Sequence, residues 1–278
     1  MNSQNINRQN NSEGKLMRLK IVPVICLTFF GLHTSLIGGT IREQFEKTFK
    51  FKQGGTLILE NTNGSVAVES WSKEEVRVEA EKIVKAKSRR QAEEIMKKVR
   101  IDIKQDTDYL EIQTHIPRHR TGFWDSIFGG GTSISVTYYL KVPHELRLDI
   151  STVNGGVEME QVGGEIRVKS TNGRIRLFET QGVVDAKTTN GSIEVDFRDF
   201  EENEDMSFKT TNGGIKLYLP ENFRAYVNAS TTNGSINTDF PIKVHGEISK
   251  RRLRGEISGG GGTVDLHTTN GSIRILKR

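Results

Sequence analysis

The chain is poor in the residues that cross-link small folds or stiffen their loops. Its only cysteine is Cys26, which excludes an intrachain disulfide. Proline is scarce, at 5 of 278 residues, whereas glycine reaches 28, so glycine must supply most of the special turn positions. Apolar residues make up 34% of the chain, which favours a thin, elongated core over a thick globular one.

The sequence also lacks the motifs of common catalytic and cofactor sites. It contains neither a P-loop nor a Gly-x-Ser-x-Gly elbow. Pro117 separates His115 from His119 and excludes a helical pair of metal ligands. The acidic segment 199–205 is a candidate for calcium binding or for paired-carboxylate chemistry, but we interpret it as a solvated loop between repeats. We therefore expect no enzyme, no cofactor and no metal.

The net charge of +5 is concentrated at the N-terminus, where residues 1–40 carry +3 and leave +2 for the body. Lys15, Arg18 and Lys20 precede the apolar run 21–32, and small residues follow at 38–40, which is the order of an export signal. We expect residues 1–40 to be an export signal or an N-terminal membrane anchor. The body would then lie outside the cytoplasm, in the periplasm, on the cell surface or secreted. Its nearly balanced charge predicts no nucleic-acid partner and membrane contact only through the N-terminal segment.

The dipeptide Asn-Gly recurs along the chain with a regular apolar pattern around it. From Asn154 onward its spacings are 18, 18, 22, 21 and 37 residues. The positions six and four residues before each Asn, and three and five after it, are apolar in every copy except at Thr238. Each arm therefore alternates as a half-buried strand does, and the phase change across Asn-Gly keeps both arms on one core. We assign these pairs as structural turns in a left-handed backbone: Asn63-Gly64, Asn154-Gly155, Asn172-Gly173, Asn190-Gly191, Asn212-Gly213, Asn233-Gly234 and Asn270-Gly271.

Two all-β architectures satisfy this pattern. One is a β-solenoid, of the right-handed β-helix or β-roll type, with about 18 residues per rung and Asn-Gly stacked at a corner. The other is an antiparallel β-meander folded into a sandwich, with Asn-Gly at its hairpins. We favour the solenoid because the corner triplet is repeated as if each copy lay on the preceding one.

Three segments carry a resemblance to a known family: GGTLILENTNGSVAVESWSKEEVRVEAEK (54–82), YYLKVPHELRLDISTVNGGVEME (138–160) and the following TTNGSI units. The chain resembles the bacterial putative-adhesin family, whose members are β-strand-repeat domains of unknown function. The resemblance covers residues 54–278 apart from 87–130. It implies a surface role and supplies no catalytic residue.

Residues 84–130 interrupt the repeat within an otherwise single domain, 41–278. Ser88 and Gln91 form a capping-box pattern, and apolar residues at helical spacing predict a short helix over 88–99 that caps one end of the stack. Strands are expected at 99–104 and 109–114. The loop 117–133 contains Trp124 and Phe128 beside arginines. These rings either contact a membrane or a partner or, as we favour, fold back on the β layer.

A row of cations is expected on one outer face. Lys169, Lys187 and Lys209 stand three residues before the Asn in consecutive rungs, at solvent-facing parity. In one interpretation, which we favour from sequence, the neighbouring Asp185, Glu194 and Asp196 compensate the lysines on a mixed-charge face. In the other, the lysines bind an anionic envelope polymer with the help of three arginines, namely Arg167, Arg174 and Arg176.

Three functions remain compatible with these features. The first, which we favour, is a non-catalytic cell-envelope or surface protein, an adhesin or binding scaffold whose repeated β faces bind an anionic polymer or another surface protein. The second is an anchored sensory or regulatory partner in an envelope-stress system. The third is a polysaccharide-active β-helix enzyme, which would require converging acid and base residues that the rungs do not present.

Overall fold

The computed structural model describes residues 39–117, 131–245 and 249–278, which form two β-sheets and one helix. Sheet 1 contains β1 (Thr40–Lys50), β3 (Val66–Trp71), β4 (Glu75–Lys85), β7 (Ser133–Pro143), β9 (Val157–Glu160), β11 (Ile175–Thr180), β13 (Ile193–Phe197), β15 (Ile215–Leu219), β17 (Ile236–Thr238) and β21 (Ile273–Lys277). Sheet 2 contains β2 (Thr56–Glu60), β5 (Arg100–Gln105), β6 (Tyr109–His115), β8 (Glu145–Asn154), β10 (Gly163–Asn172), β12 (Val183–Asn190), β14 (Met206–Asn212), β16 (Ala225–Asn233), β18 (Ile242–Val244), β19 (Arg252–Ile257) and β20 (Thr263–Asn270). The helix is α1 (Arg89–Met96).

The two sheets are the two walls of a β-solenoid-like stack. Each Asn-Gly joins a strand of sheet 2 to the next strand of sheet 1, so the dipeptide turns a corner and does not close a hairpin. Strands of successive rungs pair in parallel, as β10 does with both β8 and β12. Antiparallel pairs among the described strands occur only toward the ends of the stack, for example β1 with β4 and β16 with β19. The predicted solenoid is thus confirmed, and the antiparallel sandwich is wrong.

The alternating apolar positions form the core between the sheets. Of the positions that flank the seven Asn-Gly pairs, all are buried except Ile236 and Thr238, which are half-buried on the short strand β17. Neighbouring rungs place equivalent residues side by side, for example Ile166 beside Val184 and Ile175 beside Ile193. Because each rung continues the same apolar column, the core is thin and extends along the whole stack.

The corner is held by a ladder of asparagine side chains. Every corner Asn except Asn63 donates from Nδ2 to Oδ1 of the Asn in the adjacent rung, as Asn190 does to Asn172 at 2.7 Å; Asn63 Nδ2 donates to Ile134 O at 3.3 Å. The ladder runs through Asn233, Asn270, Asn212, Asn190, Asn172, Asn154 and Asn63, with donor–acceptor distances of 2.6–2.8 Å. Inside the corner, buried Ser and Thr hydroxyls donate to glycine carbonyls of the adjacent rung, as Thr188 does to Gly173 at 3.0 Å.

The prediction of a left-handed backbone at the corner is wrong for six of the seven Asn-Gly copies. Of the seven corner glycines only Gly64 has a positive φ, at 119°, and none of the corner asparagines has one. Glycine is required for another reason, which is space. A Cβ atom at Gly173 would lie 1.9 Å from the carbonyl oxygen of Gly155 in the adjacent rung. The corner backbones stack too closely for any side chain.

The rungs do not stack entirely in sequence order, which corrects the expectation that each copy lies on the preceding one. The C-terminal rung, with Asn270, is inserted between the rungs of Asn212 and Asn233. On the sheet 2 side, β20 accordingly separates β14 from β16. The first rung, with Asn63, pairs directly with that of Asn154, across the long excursion that contains α1.

The interrupting segment builds the N-terminal end of the stack. Ser88 caps α1 by accepting a hydrogen bond from Gln91 N at 3.3 Å, although the helix ends at Met96, three residues earlier than predicted. The helix contacts β1 and β4 and buries Ala92, Ile95 and Met96. The strands predicted at 99–104 and 109–114 are β5 and β6, which form the edge of sheet 2. Residues 118–130, with Trp124 and Phe128, lie outside the described residues.

Candidate functional site

Three lysines lie side by side on the outer face of sheet 2, and we call them the lysine row: Lys169, Lys187 and Lys209. The backbone register places Lys169 beside Lys187 and Lys187 beside Lys209 on the parallel strands β10, β12 and β14. All three are exposed. Adjacent strands are about 4.8 Å apart, so the row presents one cation per rung. The structure brings together the lysines that the repeat spacing predicts, and their binding role stays a prediction.

The acids expected to compensate the lysine row have other partners or lie elsewhere. Asp185 lies 3.9 Å from Arg167, and Asp196 lies 3.3 Å from Arg278. Glu194 is on β13, in the opposite sheet. Within the described part of the chain, no carboxylate forms an ion pair with any lysine of the row. Two unit charges at strand spacing in water repel by about 0.9 kcal/mol, and no ion pair within the described residues offsets this repulsion directly.

The three arginines predicted to assist the row are divided between different surfaces. Arg167 lies on β10, on the same face as the lysines, and pairs with Asp149 at 3.8 Å and with Glu165 at 3.7 Å. Arg174 is exposed at the corner, directly after Gly173. Arg176 lies on β11, on the outer face of sheet 1. Only Arg167 therefore belongs to the surface of the row.

The outer face of sheet 1 shows how this fold neutralises a row of charges. There the register brings Glu158, Arg176, Glu194, Lys216 and Arg274 side by side on consecutive strands. Acids and bases alternate over the first four positions, and Arg176 pairs with Glu158 at 3.3 Å. The lysine row, on the opposite face of the same rungs, has no such alternation.

A shallow cavity of about 670 Å³ adjoins the lysine row. Lys209 and Arg167 line it together with acidic residues, namely Glu165, Asp185, Glu201, Glu204, Asp205 and Asp265. The acidic segment 199–205 therefore lies beside Lys209, and its carboxylates are exposed, as expected of a solvated loop. Asp205 also accepts a hydrogen bond from the backbone N–H of Thr263 at 2.7 Å, which fixes the end of the segment. The signal in the sequence was the short distance of this segment from Lys209 along the chain.

A second charged cluster lies on sheet 1 near the N-terminal end. The Tyr139 hydroxyl donates to the Glu69 carboxylate, and Lys141 lies 3.4 Å from that carboxylate. The hydrogen bond to Glu69 is the main cause that raises the pKa of Tyr139 to about 12. The same bond lowers the pKa of Glu69. Since β3 and β7 carry these residues, the cluster stabilises the pairing of these two strands.

Within residues 39–117, 131–245 and 249–278, no group of three or more His, Cys, Asp or Glu side chains is placed to hold a metal ion. Nor does any helix in these ranges have the length and apolar character needed to cross a bilayer. The expected export signal or anchor lies almost wholly in residues 1–38, outside the described residues.

Comparison with known proteins agrees with this architecture. The family described as Toastrack DUF4097 matches residues 49–276. The chain belongs to the Toastrack DUF4097 family. The matched range contains all seven Asn-Gly corners and the lysine row, so the family match includes every rung of the repeat. No curated protein matches the chain.

Several solved structures are similar to this Toastrack domain at low sequence identity. A "putative cell adhesion protein" from Clostridium sporogenes is 15% identical, with a TM-score of 0.46, and the match covers 84% of this chain and 100% of the other. A "putative adhesin" from Bacteroides fragilis is 8% identical, with a TM-score of 0.40 and coverages of 84% and 97%. A "putative lipid binding protein" from Parabacteroides distasonis is 8% identical, with a TM-score of 0.29 and coverages of 84% and 96%.

Proposed function

We propose that the protein is a non-catalytic binding scaffold of the bacterial cell envelope or surface, and that its lysine row binds a linear anionic polymer. The observation that carries the proposal is the register of Lys169, Lys187 and Lys209 without a carboxylate partner among the described residues. Cations repeated at strand spacing suit an extended chain of negative charges better than a compact anion, because each rung offers one contact.

The surroundings of the row support a polymer that runs across the strands. Ser151 precedes the three lysines on the neighbouring strand, and His267 and Ser230 follow them in the same register. His267 Nδ1 and Ser230 Oγ are 2.9 Å apart and continue the polar row to the end of the stack. This row is therefore hydrophilic over six consecutive strands, from β8 to β16. A polymer lying along it contacts Arg167 at its margin.

The test compares two triple variants that remove the same charge from opposite faces. In the first, Lys169, Lys187 and Lys209 are replaced by Gln, and retention on immobilised dextran sulfate and on purified anionic cell-wall polymer is measured at low and moderate salt. If each lysine contributes about 0.2–1 kcal/mol, the triple variant loses about 3- to 150-fold in affinity. Binding by the wild type should also weaken with salt.

The matched control replaces Arg176, Lys216 and Arg274 by Gln on the outer face of sheet 1. It has the same net charge as the lysine-row variant; Arg274 is exposed like the three lysines, and Arg176 and Lys216 are half-buried. We expect this control to retain polymer binding. Equal retention by the two variants, with circular dichroism spectra like wild type, would remove the lysine row as a polymer site.

The proposed location depends on residues 1–40. Lys15, Arg18 and Lys20 before an apolar run support export, with the stack in the periplasm, on the surface or secreted. Cell fractionation and N-terminal sequencing of the mature protein test this proposal. Full-length chain in the soluble cytoplasmic fraction would contradict it. An intact, membrane-bound N-terminus would favour the anchored sensory or regulatory partner.

A further inference from the structure

The backbone N–H groups of the corner glycines are hydrogen-bonded in six of the seven rungs. Each donates to the carbonyl oxygen of the Asn in the next rung toward the Asn233 end of the stack, as Gly191 does to Asn212 at 3.0 Å. The donor–acceptor distances are 2.9–3.1 Å, and the six donors are Gly64, Gly155, Gly173, Gly191, Gly213 and Gly271. A nitrogen held in this way is not free to react with the side chain of the preceding Asn.

The rung of Asn233 is the exception because it lies at the end of the ladder. Thr231 N and Ile236 N, on either side of the turn, donate to the backbone of Arg251 and Lys250. The N–H of Gly234 between them has no acceptor within the described residues. The Oδ1 atom of Asn233 likewise accepts no hydrogen bond there, whereas Oδ1 of each of the other six corner asparagines accepts one from the next Asn. Gly234 is also the one exposed corner glycine.

We propose that Asn233-Gly234 is a site of spontaneous deamidation in the folded protein, and that stacking protects the other six Asn-Gly pairs. The backbone nitrogen of Gly234 loses its proton and bonds to Cγ of Asn233. The Cγ–Nδ2 bond breaks, and Nδ2 leaves as ammonia with its own two hydrogens and a third proton that balances the one lost by Gly234. Water then opens the resulting succinimide at either carbonyl and yields aspartate or isoaspartate, with no oxidation or reduction.

Local sequence does not distinguish this site from its counterparts. Asn63, Asn190, Asn233 and Asn270 all stand in the tetrapeptide Thr-Asn-Gly-Ser. Any difference between their deamidation rates therefore arises from the folded structure and not from the neighbouring residues. The three counterparts have a glycine N–H bonded at 2.9–3.0 Å, and reaction there requires this bond to open first. One hydrogen bond of about 1.4 kcal/mol corresponds to a factor of ten.

Deamidation at this position changes the end of the stack. Asn233 Nδ2 donates to Asn270 Oδ1 at 2.8 Å, and the carboxylate product has no such donor. Isoaspartate also adds a methylene to the main chain between β16 and β17, where the two sheets of the last rung are joined. The product places a negative charge at the corner of the terminal rung, so the modification marks aged molecules by charge.

The test is a time course on the purified full-length chain, folded and at mildly alkaline pH. Peptides from each time point are analysed by mass spectrometry for conversion of the Asn amide to a carboxyl group and for isoaspartate. We expect Asn233 to convert at least about tenfold faster than Asn63, Asn190 and Asn270. Equal rates in the folded protein, or a faster reaction at one of the other three, would overturn the proposal.

Two further measurements separate structure from sequence. In denaturant the four asparagines should deamidate at similar rates. A faster reaction at Asn233 in denaturant as well would show that the folded structure is not the cause and would overturn the proposal. In the variant Asn233→Ser, the side-chain donor to Asn270 is altered, but the backbone bond from Gly271 N to residue 233 O is kept. We expect Asn270 to stay as slow as Asn190 in this variant. If Asn270 in this variant deamidates as fast as Asn233 does in the wild type, the backbone bond from Gly271 N does not protect Asn270 from deamidation.

Discussion

A methyl group at Gly191 would occupy space that the adjacent rung already fills. A Cβ atom built there lies 2.0 Å from the carbonyl oxygen of Gly173 and 2.6 Å from its carbonyl carbon. The φ angle of Gly191 is outside the left-handed region, so its own backbone accepts a side chain and the cost arises between rungs. Restoring a contact of 3.0 Å requires the two rungs to separate locally by about 1 Å.

The cost follows from the hydrogen bonds that cross this gap. Gly173 N donates to Asn190 O at 3.0 Å, and Ile175 N donates to Ser192 O at 3.0 Å. The Thr188 hydroxyl donates to Gly173 O, also at 3.0 Å. A separation of about 1 Å breaks all three. At about 1 kcal/mol each, the loss is about 3 kcal/mol, which lowers the Tm by about 6–12 °C in a domain of this size.

Thermal unfolding followed by circular dichroism measures this loss in Gly191→Ala and Gly191→Val. The matched control is Gly156→Ser, one residue beyond the corner glycine of its rung, where other rungs carry Ser192 and Ser272. A Cβ at Gly156 meets its nearest atom, the carbonyl oxygen of Arg174, at 3.2 Å. We expect the control to change stability by less than about 0.5 kcal/mol. Gly191→Val melting like wild type would refute the stacked-corner account.

Three smaller predictions concern single side-chain hydroxyls. Thr188→Val should lower the free energy of unfolding by about 1 kcal/mol, because it removes the donor to Gly173 O. Thr152→Val should be neutral or stabilising, since the buried Thr152 hydroxyl has no partner among the described residues; chemical denaturation compares the two, and equal losses would contradict this difference. Tyr139→Phe should raise the pKa of Glu69, whose depressed value depends first on the Tyr139 hydroxyl; carboxyl NMR titration measures the shift. The stability that Glu69 contributes is present at neutral pH and is lost as the pH falls through its lowered pKa, and an unchanged titration in the variant would argue against the bond.

The lysine row was predictable from the sequence because it depends only on spacing and parity. Lys169, Lys187 and Lys209 recur at one position of a period-two strand, so their shared face follows from the repeat. The position of Arg176 was not deduced in the same way, although it follows Asn172 and therefore belongs to the other arm of the corner. Which carboxylate neutralises which cation depends on side-chain distances between rungs. Those distances leave the lysines without the acids expected from the chain.

The corner glycines were predicted as turn residues, but the left-handed backbone given as the reason is found only at Gly64. Asn-Gly in isolation favours a left-handed turn, and the sequence offered no evidence against one. In the stack, the virtual Cβ of Gly173 meets Gly155 O at 1.9 Å while its φ is ordinary. Contacts between rungs are non-local, so a pattern read along one rung does not reveal them.

That the chain is a β repeat with Asn-Gly corners and two inward-facing arms follows from its sequence alone, because strand alternation and turn chemistry are local properties. The order of the rungs is visible only in the fold, where the rung of Asn270 lies between those of Asn212 and Asn233. Parallel strands pair through backbone groups that every rung possesses alike, so the repeat itself permits more than one order. Strand β19 occupies the outer edge of β16, so the C-terminal strand β20 pairs on the inner side of β16, next to β14.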